Sequence, residues 1–497
     1  MKLTENPIFL TQRRLTRRSG VLAPVLIATL TGLILLAGLS VGLVDPKAMH
    51  FAGPESAGKF FYGWIVGLEI VVFVLGAVRI ARVLGGERKA GLWESNCLSP
   101  LRPGEIVLGY WLGGRERELY MAAVLAGVGA GMILMTWLSP LLWLGTQVLV
   151  LSTALFFGLL AALFGMAGQK SRSDSLGMVP LGLVLGVPFI LSFQGMTVLS
   201  YLLPIYPLAV LFRDGADPNP MGYYASGRLY AWAISPLALS LVLQFCLGLC
   251  FWRAATRKTA DPGQPLLERG EALVIFGLLV ITQHALVWGS WVGGAGNRDM
   301  PDMPDMPMLP FTQGGAILVG SLLLAVASPQ PERLRLALLR VGGGPRRSHQ
   351  SATVTALGLG LLGALAILPG MLRSVGDNWP RALVASVNLL ECLLMFALLL
   401  QFCRLRFGLR APGFFVLGLF VLCLLPLIVA MVLENDYFAQ CSFLAPGVVA
   451  LAGNAPNLEF LGGVIAGHAV IVGLLFVAWR QQWQRLLDET SALAGGA

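Results

Sequence analysis

The sequence predicts an all-α polytopic membrane protein with about twelve transmembrane helices, arranged as two six-helix halves in parallel repeat. Composition is the first indication: 56% of residues are hydrophobic and 12% are charged, whereas soluble domains carry about 25% charged residues. The second is that the apolar residues form long continuous blocks rather than periodic stripes. The third is that basic residues concentrate in alternate connecting segments.

The apolar blocks define the predicted membrane spans. A block of about 18 or more apolar residues is long enough to cross a bilayer as a helix, and a membrane β-barrel would instead show short alternating segments. The predicted spans are 21–44, 61–84, 118–138, 140–167, 176–199, 229–252, 271–293, 311–328, 352–373, 381–403, 412–434 and 459–479.

The basic residues predict the orientation of these spans. With both termini placed in the cytoplasm, 28 of the 35 Lys and Arg residues fall in inner segments. This asymmetry is what the positive-inside rule describes for a multi-pass protein with both termini inside. Topology therefore accounts for the net charge of +9, and no basic soluble domain points to nucleic acid as a partner.

The first twenty residues predict an amphipathic helix that lies on the membrane surface. Asn6 can cap this helix and Pro7 suits its first turn. Ile8, Phe9 and Leu15 would then enter the lipid interface beside stacked arginines. The alternative interpretation is a basic tail that serves only to fix orientation.

The stretch GPESAGKF at 53–60 resembles the nucleotide-binding pattern G-x-x-x-x-G-K-[ST] but lacks its last residue. Phe60 stands where a hydroxyl should ligate Mg²⁺, and the segment falls in a predicted external loop. We interpret Gly53 and Gly58 as turn residues. We therefore expect no ATPase site in this chain, and the sequence predicts no catalytic residue, cofactor or metal in it.

The segment 79–117 is the longest predicted cytoplasmic connection. Ser99-Pro100 and Pro103-Gly104 are helix breakers, which predicts two short helices separated by a turn. Apolar residues such as Leu98 and Leu101 stand among its charges. A connection that served only as a tether would not need this mixture.

Weak internal echoes predict the division into halves. Residues 99–105 resemble 328–333, and Trp252-Arg253 resembles Trp479-Arg480 at a similar offset. The predicted organisation follows the chain: a surface helix 1–20, a first bundle 21–258, a linker 259–270, a second bundle 271–480 and a cytoplasmic tail 481–497.

The segment 79–117 contains a sequence pattern made of Glu87, Gly91, Glu94, Leu98-Ser99-Pro100-Leu101 and Glu105-Ile106-Val107-Leu108-Gly109. With these residues it resembles the type-2 permease family of ATP-binding-cassette transporters. Members carry an acidic, glycine-containing helix followed by a Leu-x-Ser-Pro-Leu-like turn and a Glu-Ile-Val-Leu-Gly helix. Two departures are Tyr110, where members commonly carry lysine, and the missing Thr after Gly91.

The resemblance implies a function for the chain and for this segment. It implies a permease subunit, an exporter, whose residues 1–20 form an elbow helix. It also implies a separate ATPase subunit in two copies, which binds ATP and Mg²⁺. Either one chain or a homodimer would complete the pathway. It further implies a bacterial plasma (inner) membrane as the location. The residues of this chain that would couple it to the ATPase are Glu87, Glu94, Ser99, Pro100 and Glu105.

Two other classes of protein remain open. A secondary transporter of the major facilitator superfamily also has twelve spans, and GGERKAG at 85–91 faintly resembles its loop motif. That motif sits in a much shorter loop, and its Asp-Arg and Gly-Arg-Arg are absent here. A membrane-embedded transferase or polymerase would need a large external loop with clustered acids and bases, and 200–228 offers few. Neither alternative requires a cassette ATPase.

Four ionisable residues fall inside predicted spans: Glu69, His284, Glu391 and His468. Such residues are functional candidates because burying a charge in a membrane is costly. They would line a polar cavity or a proton path, or they would form hydrogen bonds between helices. Outside the spans, the repeat DMPDMPDMPM at 299–308 predicts an extended, proline-stiffened loop, with Cu(I) binding by its thioethers as the alternative.

Overall fold

The structure is a computed structural model that describes most of the chain. Several predictions lie wholly or mostly outside the described residues: the span 176–199, the outer loop 200–228, the repeat 299–308 and the echo at 328–333. The described residues are 5–18, 20–44, 53–167, 197–202, 208, 212, 228–229, 232–233, 236–261, 266–294, 308–327, 355–365, 379–407, 411–433, 440–446, 449 and 458–495.

Within the described ranges the secondary structure is helical apart from two paired strands of two residues each, β1 (Arg228–Leu229) and β2 (Trp232–Ala233). A π-helical turn, Phe420–Leu424, separates the α-helices Ala411–Leu419 and Leu425–Leu433. The helices are α1 (Pro7–Arg18), α2 (Leu22–Val44), α3 (Pro54–Lys89), α4 (Leu92–Cys97), α5 (Pro103–Gly113), α6 (Glu116–Thr136), α7 (Pro140–Ala167), α8 (Thr197–Leu202), α9 (Pro236–Ala260), α10 (Arg269–Gly294), α11 (Met308–Ala327), α12 (Thr355–Leu365), α13 (Trp379–Phe407), α14 (Ala411–Leu419), α15 (Leu425–Leu433) and α16 (Leu458–Gly495).

The prediction of a polytopic membrane protein is confirmed at the level of helices. Among the described residues, eight helical stretches are long and apolar enough to cross a membrane. The count of twelve spans and the parallel repeat remain predictions. The eight stretches are Leu22–Val44, Pro54–Lys89, Glu116–Thr136, Pro140–Met166, Leu237–Ala260, Leu383–Phe407, Gly413–Leu433 and Glu459–Leu486.

Two predictions about local structure are wrong. The span predicted at 229–252 begins at Pro236 and continues to Ala260, since proline suits the first turn of a helix and the preceding residues pair as strands. Gly58 is not a turn residue: α3 begins at Pro54 and includes it. The segment 481–497, predicted as a cytoplasmic tail, is helical as far as Gly495 in continuation of α16, and its place in the cytoplasm remains a prediction.

The helical position of Gly58 has a packing reason. A Cβ atom there would lie 2.7 Å from Cγ2 of Thr136 at the end of α6, so only glycine allows this approach. Small residues serve the same purpose in membrane helices generally, because backbones can then come close together.

The chain divides into two compact units. The first unit comprises Met1–Ile190, Leu199–Gly227 and Ala233–Gln264, and the second comprises Leu191–Val198, Arg228–Trp232 and Pro265–Ala497. In the first unit, α3 packs against α6 and α7, and α2, α3 and α6 share a buried cluster that includes Leu39, Ile65 and Met132. In the second unit, α13 packs against α16, α14 and α11.

Candidate functional site

The segment between α3 and α6 is held from one side by α1, which packs along α5. Two glycines of α5 permit this contact. A Cβ atom at Gly109 would lie 3.0 Å from Cβ of Ile8, and one at Gly113 would lie 3.1 Å from the carbonyl oxygen of Phe9. Ile8 is therefore buried against α5, and the prediction that it enters the lipid interface is wrong. Leu15 is exposed, as that prediction requires.

Asn6 joins the start of α1 to the start of α5. Its Oδ1 accepts hydrogen bonds from the backbone N–H groups of Ile8, at 3.0 Å, and Phe9, at 3.3 Å. This confirms the predicted cap, which satisfies donors that a helix leaves unpaired at its first turn. The Asn6 amide also donates to the carbonyl oxygen of Glu105 at 2.6 Å.

Ion pairs fix the other end of α1 to the start of α6. Glu116 accepts hydrogen bonds from Arg13 at 2.8 Å, from Arg17 at 3.4 Å and from the Tyr120 hydroxyl at 3.0 Å. The hydrogen bond to Glu116 raises the pKa of Arg13 above its ordinary value. The arginines that the sequence assigned to orientation therefore also anchor α1 to the protein.

Glu87, near the end of α3, is the centre of a polar cluster. Its carboxylate accepts hydrogen bonds from the Gln12 amide of α1 and from the Tyr110 hydroxyl of α5. Asn96 of α4 donates to the Tyr110 hydroxyl at 2.6 Å and approaches Glu87 at 3.4 Å. Burial, followed by the Glu87 carboxylate, raises the pKa of Tyr110, so its hydroxyl stays protonated and donates. Four helices therefore meet at one carboxylate.

The tip of the segment comprises α4 and the following turn, residues 92–100, and it combines buried and exposed side chains. Gly91 supplies the left-handed conformation (φ +75°) that separates α3 from α4. Trp93 is buried and lies 5.5 Å from the ring of Tyr110. Leu92 is 54% exposed and Leu98 is 88% exposed. Buried Trp93 thus anchors the tip to α5, while the two leucines face outward.

The remaining predicted coupling residues occupy different positions. One carboxylate oxygen of Glu94 is buried and has no hydrogen-bond partner among the described residues. The Ser99 hydroxyl donates to the carbonyl oxygen of Asn96 at 2.6 Å, and Pro100 is exposed. Glu105 accepts a hydrogen bond from the Arg102 N–H at 3.0 Å, which lowers the pKa of its carboxyl group and caps α5. Their role in coupling remains a prediction.

Sequence reasoning missed Arg115, which lies between α5 and α6. The guanidinium is buried, donates to the carbonyl oxygen of Ala154 in α7 at 2.9 Å and lies 5.1 Å from the centre of the Trp111 ring. Burial lowers its pKa to about 10, which still leaves it charged at neutral pH. The signal available in the sequence was an arginine at the start of a span with a tryptophan four residues before it, because arginine often lies over an aromatic ring.

The four ionisable residues predicted inside spans do not share one environment. Glu69 of α3 is buried and accepts hydrogen bonds from the Gln147 amide of α7 at 3.0 and 3.2 Å. Glu391 of α13 and His468 of α16 are buried together, with Oε2 and Nδ1 3.9 Å apart. His284 belongs to α10, and its side chain lies outside the described residues.

The described residues contain no group of three or more His, Cys, Asp or Glu side chains that could hold a metal ion. No protein-family model, no curated protein and no solved structure matches the chain. The fold and the site define a multi-pass helical membrane protein in which the segment between α3 and α6 is packed and hydrogen-bonded against α1.

Proposed function

We propose that the chain is the permease subunit of an ATP-driven cassette transporter, an exporter of the bacterial plasma membrane. In this proposal, residues 92–100 dock on a separate ATPase subunit. The single observation that carries it is the exposure of Leu98, 88%, and Leu92, 54%, on a segment that is otherwise packed and hydrogen-bonded. The second support is the resemblance of residues 87–109 to type-2 permeases.

Two exposed leucines on a segment that is already held in place by the rest of the chain suit docking for an energetic reason. Binding costs conformational entropy when the docking group must first become ordered, and a preorganised segment avoids part of that cost. Trp93, the Glu87 cluster and α1 supply this order before any partner arrives. The leucines then supply the apolar area that a groove of the partner would bury.

The same contacts provide a mechanical route from the partner to the membrane. A displacement of residues 92–100 would act directly on α3 and α5, because Glu87, Tyr110 and Asn96 join α4 to both helices. α3 is one continuous helix from Pro54 to Lys89, so a push at its cytoplasmic end would rotate the span as a rigid body. ATP and Mg²⁺ belong to the partner in this scheme.

The test is purification of the full chain from its native cells in mild detergent, followed by mass spectrometry of the proteins retained. We expect a stoichiometric partner that contains a complete G-x-x-x-x-G-K-[ST] motif. Leu98→Asp should lose this partner while membrane insertion remains normal. Leu141→Asp is the matched control, because Leu141 is also an exposed leucine (75%) but lies at the start of α7, at the opposite end of α6.

Retention of the partner by Leu98→Asp would disprove docking at residues 92–100. A chain that purifies alone, without ATP-dependent activity, would disprove the permease proposal as a whole. The secondary transporter and the membrane-embedded transferase would then be the functions to test, since neither needs an ATPase.

A further inference from the structure

The second unit contains a polar cluster between α13 and α16 to which the proposed function gives no role. Glu391 of α13 is 7% exposed and His468 of α16 is 3% exposed. Both residues lie well inside candidate membrane spans, Leu383–Phe407 and Glu459–Leu486. Glu391 Oε2 and His468 Nδ1 face each other at 3.9 Å, and neither atom has a hydrogen-bond partner among the described residues.

The short segment 440–446 fixes the His468 ring. The ring of Phe443 stacks on the imidazole with a centroid distance of 4.0 Å and an interplanar angle of 13°. Phe443 is itself held through its backbone, because its carbonyl oxygen accepts a hydrogen bond from the Asn388 amide at 3.0 Å. His468 Nε2 lies 3.0 Å from the carbonyl oxygen of Cys441. The imidazole is therefore restrained on one face and at one nitrogen.

The π-helical turn Phe420–Leu424 explains why the segment can lie there. The Phe443 N–H donates to the carbonyl oxygen of Leu422 at 3.3 Å, and the Ser442 hydroxyl donates to that of Cys423 at 2.7 Å. A π turn shifts the regular hydrogen-bond pattern and leaves carbonyl groups for other donors. Such turns are common at functional sites, and non-helical backbone at membrane depth needs partners of this kind.

The contact with Cys441 determines which nitrogen of His468 carries hydrogen. A carbonyl oxygen can only accept, so Nε2 must donate, and in a neutral ring Nδ1 is then an acceptor. A carboxylate oxygen is an acceptor too. Without a further proton, two buried acceptors face each other and neither is satisfied, and a net negative charge lies inside the membrane.

We propose that Glu391 and His468 form a proton-binding site that holds one proton between Oε2 and Nδ1. One proton makes the pair neutral whichever atom carries it, as carboxylic acid with imidazole or as carboxylate with imidazolium. It also converts two facing acceptors into a donor and an acceptor. Because α13 and α16 contribute one group each, proton uptake draws these two helices together and proton loss leaves them in mutual repulsion.

Among the described residues, few titratable groups besides the pair lie near it. α11, α12 and α14, which pack against α13, contain no titratable residue. The other charged residues of α13 and α16 lie more than two helical turns from the pair along the chain. The neighbouring titratable groups are the thiols of Cys392, which donates to the Phe443 carbonyl at 2.7 Å, Cys423 and Cys441. No described residue therefore supplies the pair with a fixed cation that would favour a bare carboxylate.

The test measures protonation directly on the purified full chain in phospholipid nanodiscs. Nitrogen-15 NMR of labelled histidine reports the state of each ring nitrogen, and the chain contains only four histidines. His468→Gln identifies the His468 signals by their loss. Infrared difference spectroscopy, with pH as the variable, reports a protonated buried carboxyl group.

At neutral pH we expect one of two signatures. The first is a carboxylic acid band that Glu391→Gln removes, and the second is a His468 ring protonated on both nitrogens. In either case Glu391→Gln must shift the His468 Nδ1 signal. Glu69→Gln is the matched control, because Glu69 is also a buried carboxyl in a span but already has the Gln147 amide as its donor. It should leave the His468 signals unchanged.

A neutral His468 with a bare Nδ1, together with no carboxylic acid band from Glu391, would overturn the proposal, since a water that donates to both atoms would then bridge them. If His468 is neutral, a carboxylic acid band that disappears in Glu69→Gln but persists in Glu391→Gln would also overturn the proposal, because the protonated carboxyl group would then be that of Glu69. If Glu391→Gln fails to fold, Glu391→Asp assigns the carboxyl band by its shift, and His468→Asn can replace His468→Gln in identifying the His468 signals. The readout is protonation rather than transport, so the result does not depend on the permease proposal.

Discussion

The two halves of the segment between α3 and α6 differ in how they meet their surroundings. The docked half, Pro103–Gly113, packs against α1 and buries Ile106, Val107 and Tyr110. The exposed half, residues 92–100, turns Leu92 and Leu98 outward and keeps only Trp93 buried. The first half therefore has its partner within the chain, whereas the second leaves two leucines exposed, as the proposed docking requires.

This contrast separates residues that hold the segment in place from residues that are free to bind. Glu87 and Glu105 matched the family pattern as coupling residues, yet Glu87 joins four helices and Glu105 caps α5. A substitution such as Glu105→Lys would therefore disturb the segment itself and would test coupling poorly. Substitutions at Leu98 and Leu92 test binding more directly.

The largest expected effect comes from breaking the contact between α1 and α5. In Gly113→Val, the new Cβ would lie 2.9 Å from Cβ of Gln12 and 3.1 Å from the Phe9 carbonyl oxygen. Overpacking of this kind lowers the free energy of unfolding by about 2–3 kcal/mol. Unfolding of the purified chain in detergent measures it. Gly85→Val in α3 is the control, because no atom lies within 4 Å of a Cβ there; equal stability of the two variants would contradict the prediction.

The next effect comes from removing the link between the halves. Glu87→Met keeps the side-chain size but leaves the Gln12, Tyr110 and Asn96 donors without their common acceptor. Unpaired donors of this kind cost about 1–3 kcal/mol, so the unfolding midpoint should fall clearly. Glu94→Met, on the exposed half, serves as the comparison and should cost less. The reverse order of the two variants would show that Glu87 is not the centre of the cluster.

A substitution confined to the exposed half should leave stability almost unchanged. Leu98→Ser removes an apolar side chain that is already 88% exposed, so the free energy of unfolding should change by less than about 0.5 kcal/mol. Ile106→Ser, in the docked half, alters a buried residue and should destabilise strongly in the same assay. A large loss of stability in Leu98→Ser would mean that Leu98 packs within the chain.

The smallest expected effect is on the chemical reactivity of one cysteine, and it is measured on the protein without any substitution. Cys97 ends α4, and burial, with a smaller contribution from the Glu94 carboxylate, raises the pKa of its thiol to about 11. Since only the thiolate is alkylated, the rate at pH 8 should be about two orders of magnitude below that of free cysteine.

The pH dependence gives the sign of this shift. A thiol with a pKa near 11 should react about tenfold faster at pH 9 than at pH 8, because its thiolate fraction is still growing. Mass spectrometry of the peptide that contains Cys97 follows the reaction. A rate that levels off before pH 9 would show that the pKa of Cys97 is well below 11, and therefore that burial does not raise it.

The sequence by itself determined the class of protein, because membrane helices are specified by composition along the chain. Apolar blocks located most of the described candidate spans, and the breakers Ser99-Pro100 and Pro103-Gly104 located α4 and α5. The Asn6 cap likewise depends only on residues next to it in the chain. Each of these features depends on neighbouring residues and on the solvent, so no distant contact is needed to predict it.

Only the tertiary structure decided which polar and small residues meet. The sequence suggested that Gly58 is a turn residue, but in the structure it lies in a helix against Thr136. The sequence also suggested that Ile8 is a lipid anchor, but Ile8 packs against Gly109. The Glu87 cluster and the facing pair of Glu391 and His468 join residues far apart in the chain. Local pattern cannot specify such pairs, because within an apolar bundle the partner of a buried polar group is set by helix packing.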